Sequence, residues 1–175
     1  MKFKDIPQFT KDGGYQINMP LRYLPDKIKK WEEDPWYGLQ LNPNFQRGHV
    51  WTEEQQIKYV EYILRGGKSA KIIYLNKPSW QGEKCGDYDD FVCVDGLQRI
   101  TAVLRFLNNE IKAFGYYYNE YEDKLPFEVD LLININNLKT EKEVLQWYVD
   151  LNGGGTPHTS EEIDKVKQMI ENLDS

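Results

Sequence analysis

The chain contains few of the residues that build disulfide frameworks and metal centres. Its 175 residues include two cysteines, Cys85 and Cys93, and two histidines, His49 and His158. Structural zinc sites need about four cysteine or histidine ligands at short spacings, and small disulfide-rich folds need several cysteine pairs. Neither pattern occurs. Cys93 lies inside an apolar run, where we expect a small buried hydrophobe.

Excess positive charge and long apolar runs are also absent. The chain has 22 lysines and arginines against 28 acidic residues, which gives a net charge of −6. Overall charge therefore does not attract it to nucleic acid, although a local basic site remains compatible with that balance. No stretch is long enough to span a bilayer, and the first residues lack the apolar core of a signal peptide. We expect a cytoplasmic protein without a membrane partner.

The apolar content of 40% and the aromatic content of 14% suffice for a real core. The length fits one domain over residues 1–175. Strands are predicted at 71–75, 91–94 and 131–135, a strand or hairpin at 110–118, and irregular structure over residues 1–20. Helices are predicted at 24–32, after the caps Thr52, Thr140 and Thr159, and from Gly96 to 107. The pattern indicates an α+β or mixed α/β domain with helices interleaved with short strands.

Asp95-Gly96-Leu97-Gln98-Arg99 joins the strand at 91–94 directly to a helix. A helix N-terminus has unpaired backbone N–H groups and the positive end of the helix dipole, and an arginine in its first turn can grip a phosphate. We interpret Gly96 as allowing close approach of a ligand and Gln98 as bonding a phosphate or a base edge. Asp95 either caps the helix, holds Arg99 or binds magnesium. The alternative without a binding function is that Asp95 only caps the helix and that Arg99 is a surface residue.

Two further clusters accompany this motif. Gln46 and Arg47 lie between Phe45 and Trp51 in a proline-containing loop, where the arginine is a candidate second phosphate contact. The alternative reading makes the two aromatic side chains core residues. Asn152 precedes a run of three glycines. We interpret most of this segment as the end of one helix followed by the cap of the next helix.

In order, these clusters read Asn-Pro-x-Phe-Gln-Arg-x-x-Val-Trp, Val-Asp-Gly-Leu-Gln-Arg-Ile-Thr-Ala-x-x-x-Phe-Leu and Leu-Asn-Gly-Gly-Gly-Thr-Pro-x-Thr-x-x-Glu-Ile. Over about residues 40–165 the chain resembles the ParB-like N-terminal domain of GmrSD-type restriction proteins. That family usually has Asp-Gly-Gln-Gln-Arg, so Leu97 replaces its first glutamine. In sulfiredoxin-like relatives a catalytic cysteine follows the glycine, and Leu97 makes cysteine chemistry unexpected here.

The resemblance implies a ParB/sulfiredoxin-like fold, with a small mixed sheet, flanking helices and C-terminal helices appended. It further implies a nucleoside triphosphate, with Mg²⁺, bound near the start of the helix. The nucleotide-binding and phosphate-binding candidates are Gln46, Arg47, Gly96, Gln98, Arg99, Thr101 and Asn152. The catalytic candidates are Asp95, Gln98 and Arg99, and Asp95 is the metal candidate.

Three functions follow from this resemblance. The first is a stand-alone nucleotide-binding domain or NTPase of a restriction or phage-defence system or a mobile element, acting with a partner nuclease or defence protein. The second is a non-catalytic regulator or decoy that binds a partner protein. The third is a metal-dependent nuclease, which the charge of −6 disfavours. We expect this chain to contact DNA only through a partner.

Overall fold

The computed structural model describes residues 1–8, 14–46, 48, 50–84, 86–153 and 160–173. Across these ranges the chain forms four strands and five α-helices. The strands are β1 (Tyr15–Pro20), β2 (Ile72–Asn76), β3 (Val92–Asp95) and β4 (Asp130–Asn136). The helices are α1 (Leu24–Glu33), α2 (Glu53–Leu64), α3 (Leu97–Leu107), α4 (Glu141–Gly153) and α5 (Ser160–Leu173). This confirms the α+β class.

The four strands form one mixed sheet in the order β1-β4-β2-β3. The two outer pairs, β1 with β4 and β2 with β3, are antiparallel, whereas the central pair of β4 and β2 is parallel. The prediction of irregular structure over residues 1–20 was wrong for Tyr15–Pro20. This segment pairs with β4, more than a hundred residues further along the chain, with Ile17 opposite Ile133.

The predicted strand or hairpin at 110–118 was also wrong in extent. This segment contains a tight turn closed by one bridge between Ala113 and Tyr116, followed by a 3₁₀ turn at Tyr118–Glu120. Phe114 at the turn has φ +51°, a left-handed backbone that cannot continue a strand. The reversal is therefore too sharp for two strands to extend from it.

Helices cover both faces of the sheet. On one face, α1, α2 and α3 bury the larger core with apolar residues of β2 and β4, including Ile73 and Ile133. On the other face, Val92 and Val94 of β3 pack against α4 and α5. Alternation along β3 therefore sends Cys93 to the larger core and its two neighbours to the smaller one.

The predicted helix caps are present where the structure describes them. Thr52 accepts a hydrogen bond from the backbone N–H of Gln55, whose side chain accepts one from the N–H of Thr52. Thr140 and Glu143 make the same exchange at the start of α4. Thr159 lies outside the described residues. None of the helices in the described ranges is both long enough and apolar enough to cross a membrane.

Candidate functional site

The connection from β3 to α3 requires glycine for reasons within the chain itself. Gly96 is the N-cap residue of α3 and has φ +122°, which side chains other than hydrogen rarely permit. A Cβ atom built at Gly96 would lie 2.6 Å from Cδ1 and 3.0 Å from Cγ2 of Ile73 on β2. The space that glycine leaves open is thus occupied by Ile73, so helix-to-sheet packing already explains the residue.

Asp95 holds Arg99 in place, which is one of the three roles that the sequence left open for it. Oδ2 of Asp95 lies 2.6 Å from Nη2 of Arg99, one helical turn away. Nη1 of Arg99 donates to the carbonyl oxygen of Ile72, at the start of β2. The Arg99 side chain is 19% exposed, so it is neither a free surface arginine nor fully removed from solvent. These contacts fix the guanidinium beside the first turn of α3.

The start of α3 lacks a side-chain cap. Gly96 provides none, and the N–H of Ile100 donates to the carbonyl of Gly96 at 2.9 Å. The N–H groups of residues 97–99 therefore precede the helical hydrogen-bond ladder. Leu97 is buried, whereas Gln98 and Arg99 are each partly exposed. The exposed part of this positive helix end thus lies at residues 98 and 99, next to the Arg99 side chain.

Gln98 joins α3 to the loop that leads into α2. Its Oε1 accepts hydrogen bonds from the N–H groups of Val50 and Trp51, at 2.9 and 3.0 Å. Its Nε2 donates to the carbonyl oxygen of Gly48 at 2.8 Å. The side-chain amide is engaged at both ends by backbone, so in this conformation Gln98 shapes the wall of the site.

The Gln46 cluster lies beside β3. Nε2 of Gln46 donates to the carbonyl oxygen of Cys93, which places this glutamine within a few residues of the Asp95–Arg99 pair. Phe45 is buried, with its ring 5.2 Å from that of Tyr148, and Trp51 packs its ring 5.3 Å from that of Tyr59. Both aromatic side chains therefore belong to the packing. Arg47 and His49 lie outside the described residues.

Thr101 and Asn152 are the remaining described candidates for the nucleotide site. Thr101 is half-buried in the second turn of α3. Asn152 is half-buried near the end of α4, and its Nδ2 donates to the carbonyl oxygen of Tyr148 at 2.7 Å, within the same helix. The glycines at 154 and 155, and His158, lie outside the described residues.

Two groups beneath the site stay protonated at neutral pH. Burial, and secondarily the charge of Asp95, raise the pKa of the Cys93 thiol to about 12. Burial also raises the pKa of Tyr59, against the opposing effect of the Arg99 charge, and its hydroxyl donates to the carbonyl oxygen of Ala70 at 2.9 Å. Cys93 is thus an unreactive core residue, because thiolate formation controls cysteine chemistry.

The packing partners of this site come from distant segments. The carbonyl of Ile72 and the side chain of Ile73 meet the Gly96–Arg99 turn, and Tyr59 of α2 is near enough for the Arg99 charge to affect its pKa. No local pattern in the sequence identifies them, because their proximity to α3 arises only when β2 and α2 pack against it.

The donor set does not fit a metal held by the protein alone. The described residues contain no group of three or more histidine, cysteine or acidic side chains arranged to hold a metal ion. Asp95 is the carboxylate at the start of α3, and it is paired with Arg99. Magnesium in proteins commonly uses one or two carboxylates together with substrate phosphates. We therefore assign no step to a resident metal.

Comparison with known proteins identifies the family. No curated protein and no solved structure matches the chain. The family model described as GmrSD restriction endonuclease, N-terminal domain, matches residues 28–171. This range contains α2, α3, α4 and three of the four strands, together with the Asp95–Arg99 turn. The match spans most of the sequence, and the chain therefore belongs to the family of GmrSD restriction endonuclease N-terminal domains.

Proposed function

We propose that the chain is a nucleotide-binding module of a restriction or defence system, and that it binds nucleoside triphosphate at the start of α3. Family membership connects the chain with restriction. The observation that carries the proposal is the placement of Arg99 beside an uncapped helix N-terminus, held by Asp95 and by the carbonyl of Ile72.

The physical argument rests on local charge. The N-terminus of a helix behaves as roughly half a positive charge, and its free N–H groups point outward toward an anion. Arg99 adds a guanidinium with five N–H donors, of which one donates to Asp95 and one to the carbonyl of Ile72, so the remaining N–H groups can bind phosphate oxygens. A chain of net charge −6 repels polyanions overall, so this concentration of positive charge favours a small phosphorylated ligand over duplex DNA. Contact with DNA then belongs to a partner protein.

Nucleotide binding without rapid turnover fits the geometry best. Phosphate hydrolysis needs a group that orients the attacking water. Gln98 bonds backbone groups through both ends of its side-chain amide, Nε2 of Gln46 donates to the carbonyl oxygen of Cys93, and Asp95 is paired with Arg99. We therefore place nucleotide sensing and regulation of a partner nuclease or defence protein first. Hydrolysis by the same residues requires Gln98 to leave the loop at 48–51.

A thermal-shift panel tests this function. The purified chain is melted with 1 mM ATP, GTP, CTP or UTP, each with and without Mg²⁺, and phosphate release is measured in parallel. A ligand at a hundred times its dissociation constant stabilises the folded state by about 2.7 kcal/mol. For a chain of this size that corresponds to a rise in melting temperature of about 5–10 °C.

Arg99→Lys keeps the charge and loses the fork, and Arg105→Lys is its matched control. Arg105 lies near the other end of α3 and also pairs with carboxylates, those of Glu53 and Glu110. We expect a shift with at least one nucleotide that Arg99→Lys reduces and Arg105→Lys preserves. Release of phosphate together with the shift would make the chain an NTPase. The absence of any shift across the panel would refute nucleotide binding.

A further inference from the structure

A second candidate site lies at the opposite end of α3 from Arg99. A cavity of about 240 Å³ opens between the C-terminal turns of α2 and α3 and the segment that precedes β4. The 11 residues of α3 separate it from the first site by about 15 Å. We call it the aromatic cavity, and its main lining residues are Leu64, Phe106, Phe114, Tyr118, Tyr121 and Val129.

Phe114 is placed at the mouth of the aromatic cavity at an energetic cost. Its φ of +51° is a left-handed conformation that bulky residues avoid. The side chain remains 47% exposed, so burial in the core does not offset that cost. The N–H of Phe114 donates to Oε1 of Glu61 at 2.8 Å, and this bond holds the turn against α2. Residues kept in strained conformations concentrate at ligand-binding positions.

The cavity has an apolar floor and an acidic rim. Phe106 forms the floor at 1% exposure, and the rings of Tyr118 and Tyr121 meet it edge-on at 5.7 and 6.1 Å. Asp123 is an exposed lining residue, and Glu61 lies beside Phe114. Residues 110–129 contain five acidic side chains against two lysines. Burial, and then the charge of Glu61, raise the pKa of Tyr121, which is consistent with negative potential here.

We propose that the aromatic cavity is a docking site for a segment of a partner protein that presents one bulky apolar side chain next to lysine or arginine. Pockets for whole small-molecule ligands usually measure about 300–1,000 Å³, so this volume suits a single side chain. Interfaces commonly depend on such an anchor in a pocket. The acidic rim favours basic flanking residues through electrostatic complementarity.

Nuclear magnetic resonance with three capped tripeptides tests the proposal. The probes are acetylated and amidated Arg-Trp-Arg, Glu-Trp-Glu and Arg-Ala-Arg, titrated into the ¹⁵N-labelled chain. We expect Arg-Trp-Arg to shift the amide signals of Phe114, Tyr118 and Tyr121 in a saturable manner. The other two tripeptides should bind at least several-fold more weakly, because one lacks charge complementarity and the other lacks the anchor.

Two variants and a matched control complete the experiment. Phe114→Gly removes the ring and relieves the left-handed strain, so the variant should fold and lose the binding of Arg-Trp-Arg. Asp123→Asn should weaken that binding about two- to five-fold, as expected for one exposed charge pair. Phe127→Ala, which removes an aromatic side chain that is 54% exposed and outside the cavity lining, should leave it unchanged.

The proposal is overturned by any of three results. One is the absence of saturable shifts at the three aromatic residues. Another is equal binding of Glu-Trp-Glu, which would remove the role of charge. The third is binding of free indole as tight as that of Arg-Trp-Arg, which would make the cavity a small-molecule site. None of these results depends on whether nucleotide binds at Arg99.

Discussion

Gly96→Ala separates the packing role of this glycine from any role in admitting a ligand. The new Cβ would meet the side chain of Ile73 at 2.6 and 3.0 Å and its Cα at 3.3 Å, while φ stays at +122°. Backbone strain of this kind costs about 1–3 kcal/mol, and inserting a methyl group into a packed region costs about 1–3 kcal/mol more. We expect the free energy of unfolding to fall by about 2–6 kcal/mol without any ligand present.

Ile73→Val tests the steric part, because it removes the Cδ1 atom that the new methyl group approaches most closely. Alone, the removal of this methylene from the core should cost about 0.5–1.5 kcal/mol. In the Gly96→Ala background the same change also relieves the clash, so its net cost should be near zero or favourable. The coupling energy between the two positions should therefore be about 1 kcal/mol or more.

A double-mutant cycle measures this coupling energy. The wild type, Gly96→Ala, Ile73→Val and the double variant are unfolded in urea, and unfolding is followed by circular dichroism. Distant, independent substitutions add to within about 0.5 kcal/mol, so a coupling of the predicted size is detectable. Two outcomes contradict the reasoning: a Gly96→Ala variant as stable as the wild type, or an Ile73→Val cost that is equal in both backgrounds. If the variant kept its stability but lost nucleotide binding, the glycine would serve the ligand instead.

Three other predictions concern Asp89, Gln98 and Cys93. Burial raises the pKa of Asp89, but hydrogen bonds from Lys77 and Ser79 and the charge of Lys77 outweigh it and lower the pKa. Asp89→Asn should therefore lower the free energy of unfolding at pH 7, by about 1–3 kcal/mol for weakened hydrogen bonds to a charged group. In urea unfolding, the difference in free energy of unfolding between the wild type and Asp89→Asn should shrink as pH falls from about 5 towards 2. Protonation of Asp89 removes the ion pair with Lys77 from the wild type as well. Gln98→Leu should cost about 1–3 kcal/mol and increase proteolysis of the loop at 48–51, since three hydrogen bonds are lost. In a Cys85→Ser background, Cys93 should react with a thiol reagent only at the rate of unfolding.

Local sequence patterns predicted the helices and three of the four strands, β2, β3 and β4. Capping residues, apolar periodicity and glycine stops are all properties of neighbouring residues, and they gave α2 and α3 nearly to the residue. The strand β1 was missed because Gly14 precedes it and Pro20 is its last residue, and both residue types indicate irregular structure. It becomes a strand only by pairing with β4, and local sequence contains no record of that partner.

The candidate site shows the same division. The spacing of Asp95 and Arg99 places them one turn apart, and their ion pair is one of the arrangements that the sequence suggested. The hydrogen-bond partners of Gln98 come from a loop about fifty residues earlier, so its bonds to the backbone of that loop were not predictable. Likewise, the motif identified Gly96, but the side chain that leaves no room for a Cβ atom there belongs to Ile73 on another strand.

The most direct test of the account is a calorimetric titration of nucleoside triphosphate with Mg²⁺ into the wild-type chain and its Arg99→Lys and Arg105→Lys variants. Hydrogen bonds between charged groups contribute about 1.5–3 kcal/mol each. We therefore predict that the nucleotide selected by the thermal-shift panel binds at least about ten-fold more weakly to Arg99→Lys, with the affinity of Arg105→Lys unchanged. Equal affinity in all three proteins would contradict a phosphate site at the start of α3.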